Sequence, residues 1–293
     1  MRIVITDSGL GGLSVVAELE KRLKSQPIFK NVELIFFNSL YSSEYGYNSL
    51  ESFSDKVKIF NNALNSIEAN YNPDLILIAC NTLSVVYPYT LFSQKPKPAV
   101  KGILENGVNL FNKHLQNDDD RIILFGTPTT INSDVYKNKL IDLGVKESQI
   151  VNQACPDLES EIQRNPKSDK TENSISKFVK EASESINPIG DRIYAGFCCT
   201  HYGYSEQLFL DNLSKQFNGE VKILNPNSRM LDFLFVAPKI LYSNSNVTVR
   251  AVTQVKLRKI EIKSLSDILM NDSPKTATAI GDYEYINNLF EKD

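Results

Sequence analysis

A chain of 293 residues with 42% apolar and 23% charged residues has material for one large globular domain or two of ordinary size. Its formal net charge of −3 offers no basic excess for nucleic acid, and no apolar run approaches the ~20 residues of a membrane span. The opening Met1-Arg2-Ile3-Val4-Ile5-Thr6-Asp7 meets an acidic residue too early for a signal peptide, so the cytoplasm is the expected compartment. There Cys80, Cys155, Cys198 and Cys199 are expected to be reduced, as buried or catalytic thiols. With only His114 and His201 besides, no spacing fits a zinc site, and no metal is expected.

Ile3 to Thr6 reads as a strand that enters the tight loop Asp7-Ser8-Gly9-Leu10-Gly11-Gly12. A helix from about Leu13 to Leu23, a strand from Asn31 to Phe37 and a helix from Phe53 to Ala69 follow. The next strand is the apolar run Leu75 to Ala79, stopping at Cys80, and this alternation implies a parallel sheet. Gln94-Lys95-Pro96-Lys97-Pro98 breaks all periodicity and reads as a crossing between domains. The acidic Asp118-Asp119-Asp120 reads as a solvated turn before a second copy of the layout begins at Arg121. A spacing of 119 residues separates Arg2 from Arg121 and Cys80 from Cys199, and Ile150-Val151 lies near the same offset from Asn31-Val32. The reading is two similar three-layer α/β domains with mostly parallel sheets. The first comprises residues 1–98 with about 208–293, the second about 99–207. Val247 to Thr253 is strand-like, and a helix is expected from about Asp282 to Glu291.

Both cysteines end buried runs. Leu75 to Ala79 leads into Cys80-Asn81-Thr82, and Ile193 to Cys198 leads into Cys199-Thr200-His201. Open α/β sheets bind ligands beyond the carboxyl ends of their strands, so each thiol belongs at a ligand-binding rim beside groups able to hold a carboxylate. Cys198 is expected to point to the opposite face from Cys199. The glycines after Asp7 lack the Gly-x-Gly-x-x-Gly spacing of a dinucleotide loop, and Asp7 would repel a pyrophosphate.

Asp7-Ser8-Gly9-Leu10-Gly11-Gly12-Leu13-Ser14-Val15, Ala79-Cys80-Asn81-Thr82 and Cys199-Thr200-His201-Tyr202 resemble, in order and spacing, the three hallmark motifs of glutamate racemases. Weaker matches fill the intervals, among them Tyr45-Gly46, Gly102 to Glu105, Thr127 with Thr130 to Ser133, and Ala154-Cys155-Pro156. The resemblance implies a cofactor-free isomerase acting on an amino acid, with its active site in the cleft between two α/β domains. It implies Cys80 and Cys199 as the two acid/bases, Cys80 serving the D-side and Cys199 the L-side, with Asp7 and His201 assisting. Asp7, Ser8, Tyr45, Gly46, Asn81, Thr82, Thr127, Thr130, Thr200 and His201 would line the substrate. It further implies a homodimer that supplies D-glutamate for peptidoglycan.

Two proton-transfer groups on opposite faces of one carbon invert it without moving the substrate, and a thiol whose pKa is lowered from ~8.5 toward neutrality suits the work. Helices starting after Asn81-Thr82 and Thr200-His201 would favour such a thiolate. Several positions depart from the family pattern. Glu44 and Gly203 stand where prolines are usual, Leu83 replaces a small residue, and Asn225 stands near an expected aspartate. A glutamate that assists the second cysteine falls by direct counting on Gln163, with Glu161 or Glu159 the alternatives. Glu44 and Leu83 keep open an aspartate or other amino-acid racemase, and Gln163 a non-catalytic amino-acid-binding homologue.

Overall fold

The computed structural model describes residues 1–186, 192–236 and 241–292. Contacts divide the chain into two units, Met1–Ile103 with Met230–Asp293, and Leu104–Arg229.

The first unit opens with β1 (Arg2–Asp7), α1 (Leu13–Ser25), β2 (Asn31–Asn38), α2 (Phe53–Tyr71), β3 (Leu75–Ile78), α3 (Asn81–Val86) and β4 (Ala99–Gly102). The second unit follows with α4 (Leu104–His114), β5 (Asp120–Gly126), α5 (Pro128–Asn132), α6 (Val135–Asp142), β6 (Ile150–Ala154), α7 (Leu158–Arg164), α8 (Asp169–Glu184), β7 (Arg192–Cys198), α9 (Glu206–Gln216) and β8 (Glu220–Leu224). The chain then returns to the first unit with α10 (Asp232–Phe235), β9 (Asn246–Thr253), α11 (Lys259–Leu269), α12 (Pro274–Gly281) and β10 (Glu284–Tyr285).

Every described pairing is parallel. One sheet runs β10-β9-β2-β1-β3-β4 and the other β6-β5-β7-β8. The order β2-β1-β3-β4 is thus repeated as β6-β5-β7-β8, the topological form of the 119-residue spacing. Strands β3 and β5 are buried at every residue, as parallel strands covered on both faces must be. In the first sheet Val4, Ile35, Ile76 and Ile78 pack with Ile59, Phe60 and Leu64 of α2. In the second, Ile123, Phe125, Ile193 and Phe197 pack with α7, α8 and α9. Its other face lies against α4. A side chain at Gly196 of β7 would strike Phe111 at 3.0 Å, so glycine lets that helix approach.

The structure moves both expected boundaries. Residues 99–102 pair with β3 as β4, so Gln94 to Pro98 joins two parts of the first unit, and the crossing falls after Ile103. The return comes at Met230 and not near 208, because β8 pairs with β7 and α9 packs on α8. The expected helix from Asp282 to Glu291 is β10 followed by irregular chain. Ile286 donates its N–H to the Thr253 carbonyl (2.9 Å) and Phe290 to the Gln254 side chain (3.2 Å), while Asn288 takes a left-handed φ of 55°. Leu289 and Phe290 are thereby pinned into the core. Asp120 is buried, and not part of a solvated turn. It accepts the N–H groups of Gln116 and Asn117 and pairs with Arg192 at 2.8 Å.

A buried carboxylate fastens the C-terminal elements. Glu20 of α1 accepts the backbone N–H groups of Lys275 (3.0 Å) and Thr276 (2.8 Å) and the Thr276 hydroxyl (2.7 Å). It serves the first turn of α12 in place of Ser273, whose hydroxyl donates instead to the Ala17 carbonyl.

Candidate active site

In the first unit β1 delivers Asp7 and β3 delivers Cys80 to the same end of adjacent strands. Gly12 is required there: a Cβ would stand 2.9 Å from both the Cβ and the Oδ2 of Asp7. Cys80 caps α3, its Sγ accepting the Leu83 N–H at 3.5 Å, and the Ser8 hydroxyl lies 3.1 Å from the same sulfur. Asn81 and Thr82 follow in the first turn of α3, both buried.

The electrostatics contradict the expectation of a lowered thiol pKa at Cys80. Burial pushes it up to about 12, the Asp7 charge adds to the rise, and the bonds from Ser8 and Leu83 oppose it without prevailing. Cys80 is therefore a thiol throughout the physiological range, an acid awaiting a change of surroundings. Asp7→Asn removes the like charge, so the Cys80 pKa falls and the thiolate fraction at pH 8 rises. Carbamidomethylation of the Cys80 peptide, followed by mass spectrometry, should run roughly tenfold faster. An unchanged rate would show that Asp7 does not govern this sulfur.

Tyr45 is 58% exposed, and the Gly46 carbonyl accepts the Tyr41 hydroxyl at 3.5 Å. Tyr47, two residues on and missed in the sequence reading, is the buried tyrosine near this thiol, packed edge-on to Tyr41. Leu83 points into the core, and Glu44 is exposed with its N–H on Ser42.

In the second unit β7 ends at Cys198, and alternation sends the two neighbouring thiols to opposite faces. Cys198 lies on the side of Tyr136, while Cys199 joins the cluster of Cys155, Tyr202 and Phe197. His201 follows, before a single 3₁₀ turn at Tyr202–Ser205; no α-helix starts until Glu206. The His201 Nδ1 is 3.8 Å from Cys199 Sγ, and its Nε2 is 3.0 Å from Gln163 Oε1 on α7. Direct counting thus identifies the residue that reaches His201. Glu161 pairs instead with Lys170 at 3.1 Å, and Glu159 faces Cys155 and Tyr202. Burial lowers the His201 pKa to about 4, so the imidazole is neutral at physiological pH.

The remaining expected residues of this unit are buried. The hydroxyls of Thr127 and Thr130 lie 3.1 Å apart where β5 passes into α5. The Thr200 carbonyl accepts Asn227 Nδ2 at 3.0 Å, a contact the sequence did not signal. Two departures from the family pattern turn out to be neighbours: a side chain at Gly203 would meet Asn225 Nδ2 at 2.6 Å. The glycine makes room for the amide. Among the described residues, no group of three or more His, Cys, Asp or Glu could hold a metal ion, and no helix is long and apolar enough to cross a membrane.

No protein-family model matches the chain. Glutamate racemase 3 of Caldanaerobacter subterraneus subsp. tengcongensis is 27% identical over 230 residues, 78% of this chain and 75% of that protein. The glutamate racemase of Hydrogenobaculum sp. is 29% identical over 208 residues, 71% of this chain and 73% of its own length. Among solved structures, glutamate racemase from Francisella tularensis in complex with D-glutamate superposes with a TM-score of 0.71 at 21% identity, over 92% of this chain and 94% of that one. The structural likeness establishes the fold, and the sequence relatives are isomerases. The chain is a divergent relative of the glutamate racemases and has their α/β fold.

Proposed function

We propose that this protein interconverts L- and D-glutamate by proton transfer between two thiols, without a cofactor. The observation that carries the reading is the repeated one: in each unit the third strand of the same sheet order ends at a thiol held by a polar side chain. Ser8 holds Cys80 and His201 holds Cys199. The reaction requires both sulfurs at one α-carbon. One, as thiolate, takes the α-proton; the other, as thiol, returns a proton from the opposite face, and the two have then exchanged states.

Asp7 has a defined part. A substrate ammonium paired with it cancels the charge that helps to hold the Cys80 thiol up, so binding itself makes that thiolate more accessible. Asn81 and Thr82, in the first turn of α3, and Thr200 supply hydrogen bonds that fix the substrate's carboxylates. Glutamate is preferred to aspartate because the two departures that had favoured aspartate lose their force: Leu83 is core and Glu44 is solvent-facing. The reading carries with it a cytoplasmic homodimer that supplies D-glutamate to peptidoglycan.

Incubation with L-glutamate in deuterated water tests it. The circular dichroism of the amino acid should decay to zero while deuterium enters Cα. An unlabelled product after prolonged incubation would leave a binding protein and no racemase, whereas labelling of aspartate alone would correct the substrate.

A further inference from the structure

Gln163 stands where a glutamate was expected, and the hydrogen-bond chain it completes has a property that a carboxylate would lack. The chain runs from Cys199 Sγ to His201 Nδ1 (3.8 Å) and from His201 Nε2 to the Gln163 side chain (3.0 Å). His201 is 4% exposed, in a setting that keeps it uncharged. A neutral imidazole has one N–H and one lone pair, and a carboxamide offers a carbonyl or, after a half-turn of its terminal torsion, an amino group. Two arrangements therefore satisfy both of these contacts. In the first, the Cys199 thiol donates to Nδ1 and Nε2–H donates to the Gln163 carbonyl. In the second, Nδ1–H donates to a Cys199 thiolate and the Gln163 amino group donates to Nε2.

We propose that Gln163 is a positioning residue that lets His201 change tautomer in step with the protonation of Cys199. In passing from the first arrangement to the second, one proton leaves the group, to the substrate carbon. The proton that leaves is the thiol's; the imidazole separately gives its Nε2 proton to water and takes one from water at Nδ1, so its own count is unchanged and no buried cation forms. A carboxylate at 163 accepts only. It would hold the proton on Nε2 and leave a lone pair facing the thiolate unless the ring became charged. The titratable groups around the chain are Cys155, Tyr202 and, from α7, Glu159. Burial raises the pKa values of the first two, so both stay protonated at physiological pH.

The proposal rests on the two-thiol reading only for its catalytic meaning; the polarity of the chain can be read without turnover. The protein contains two histidines, so nitrogen-15 labelling of histidine gives two ring systems, assigned with a His114→Gln variant. Ring nitrogen shifts are followed as pH rises through the ionisation of Cys199, which is tracked by its alkylation rate. Cys199→Asp supplies a fixed anion should the thiolate lie beyond the range of the folded protein. The expected result is Nε2–H with the thiol and Nδ1–H with the anion, and in Gln163→Glu a proton on Nε2 throughout. A His201 that keeps Nε2–H beside the anion overturns the proposal, as does a Gln163→Glu variant that switches like the parent. Racemisation is assayed on the same samples. Switching without turnover supports this proposal and sinks the racemase; turnover with a fixed tautomer does the reverse.

Discussion

Serine at Cys80 or at Cys199 is expected to lower racemisation of both enantiomers by roughly 10³-fold while leaving the far-ultraviolet dichroism unchanged. The size follows from the chemistry: a hydroxyl replaces sulfur at nearly the same place, but its alkoxide is far too basic to form near neutrality. The fold should survive because the contacts do. An oxygen at position 80 can still take the Leu83 N–H and meet the Ser8 hydroxyl, and one at 199 still faces His201. Each variant removes one of the two proposed proton carriers, so neither direction should be spared. A near-normal rate from either would defeat the two-thiol mechanism. Loss of kcat/KM in one direction alone is ruled out by equilibrium, since the two enantiomers are equally stable.

Glu20→Ala should destabilise the first unit by about 3 kcal/mol, because two buried donors and one part-buried donor lose a charged acceptor at once. The Lys275 and Thr276 N–H groups begin α12, and Ser273 is not available to replace the carboxylate. Glu20→Gln keeps an acceptor and should cost roughly 1 kcal/mol. Urea unfolding, read from the midpoint at an unchanged slope, measures both. A shift for the alanine variant no larger than that for glutamine would show that the α12 contact is dispensable.

Strands were the most legible part of the chain, for a physical reason. A parallel strand covered on both faces is a continuous apolar run, and Leu75 to Ile78, Ile122 to Phe125 and Ile193 to Phe197 are such runs. Their common spacing also disclosed the repeated sheet order. The tail was misread because Ile286, Leu289 and Phe290 have helical spacing yet are pins that hold an irregular strand to the sheet, a role only long-range partners reveal. Residues 208 to 229 were misassigned for the same reason, since pairing of β8 with β7 is not a local property. At the site, counting along the chain placed Gln163 where it meets His201. Tyr47, the buried tyrosine near Cys80, carried no motif that would single it out. The ionisation of Cys80 was beyond reach, because the dominant influence is the removal of water, which no motif records.

The doubled sheet has a stereochemical corollary. Polypeptide built from one hand of amino acid can be copied but never reflected, whereas the two forms of the proposed substrate are reflections of each other. The two stations therefore cannot offer mirror-equivalent surroundings: a carboxylate and a hydroxyl attend one sulfur, an imidazole and a carboxamide the other. Since both enantiomers are equally stable in water, kcat/KM must be the same from either side. The separate values of kcat and KM are under no such constraint, and unequal saturation curves are the natural signature of this chain.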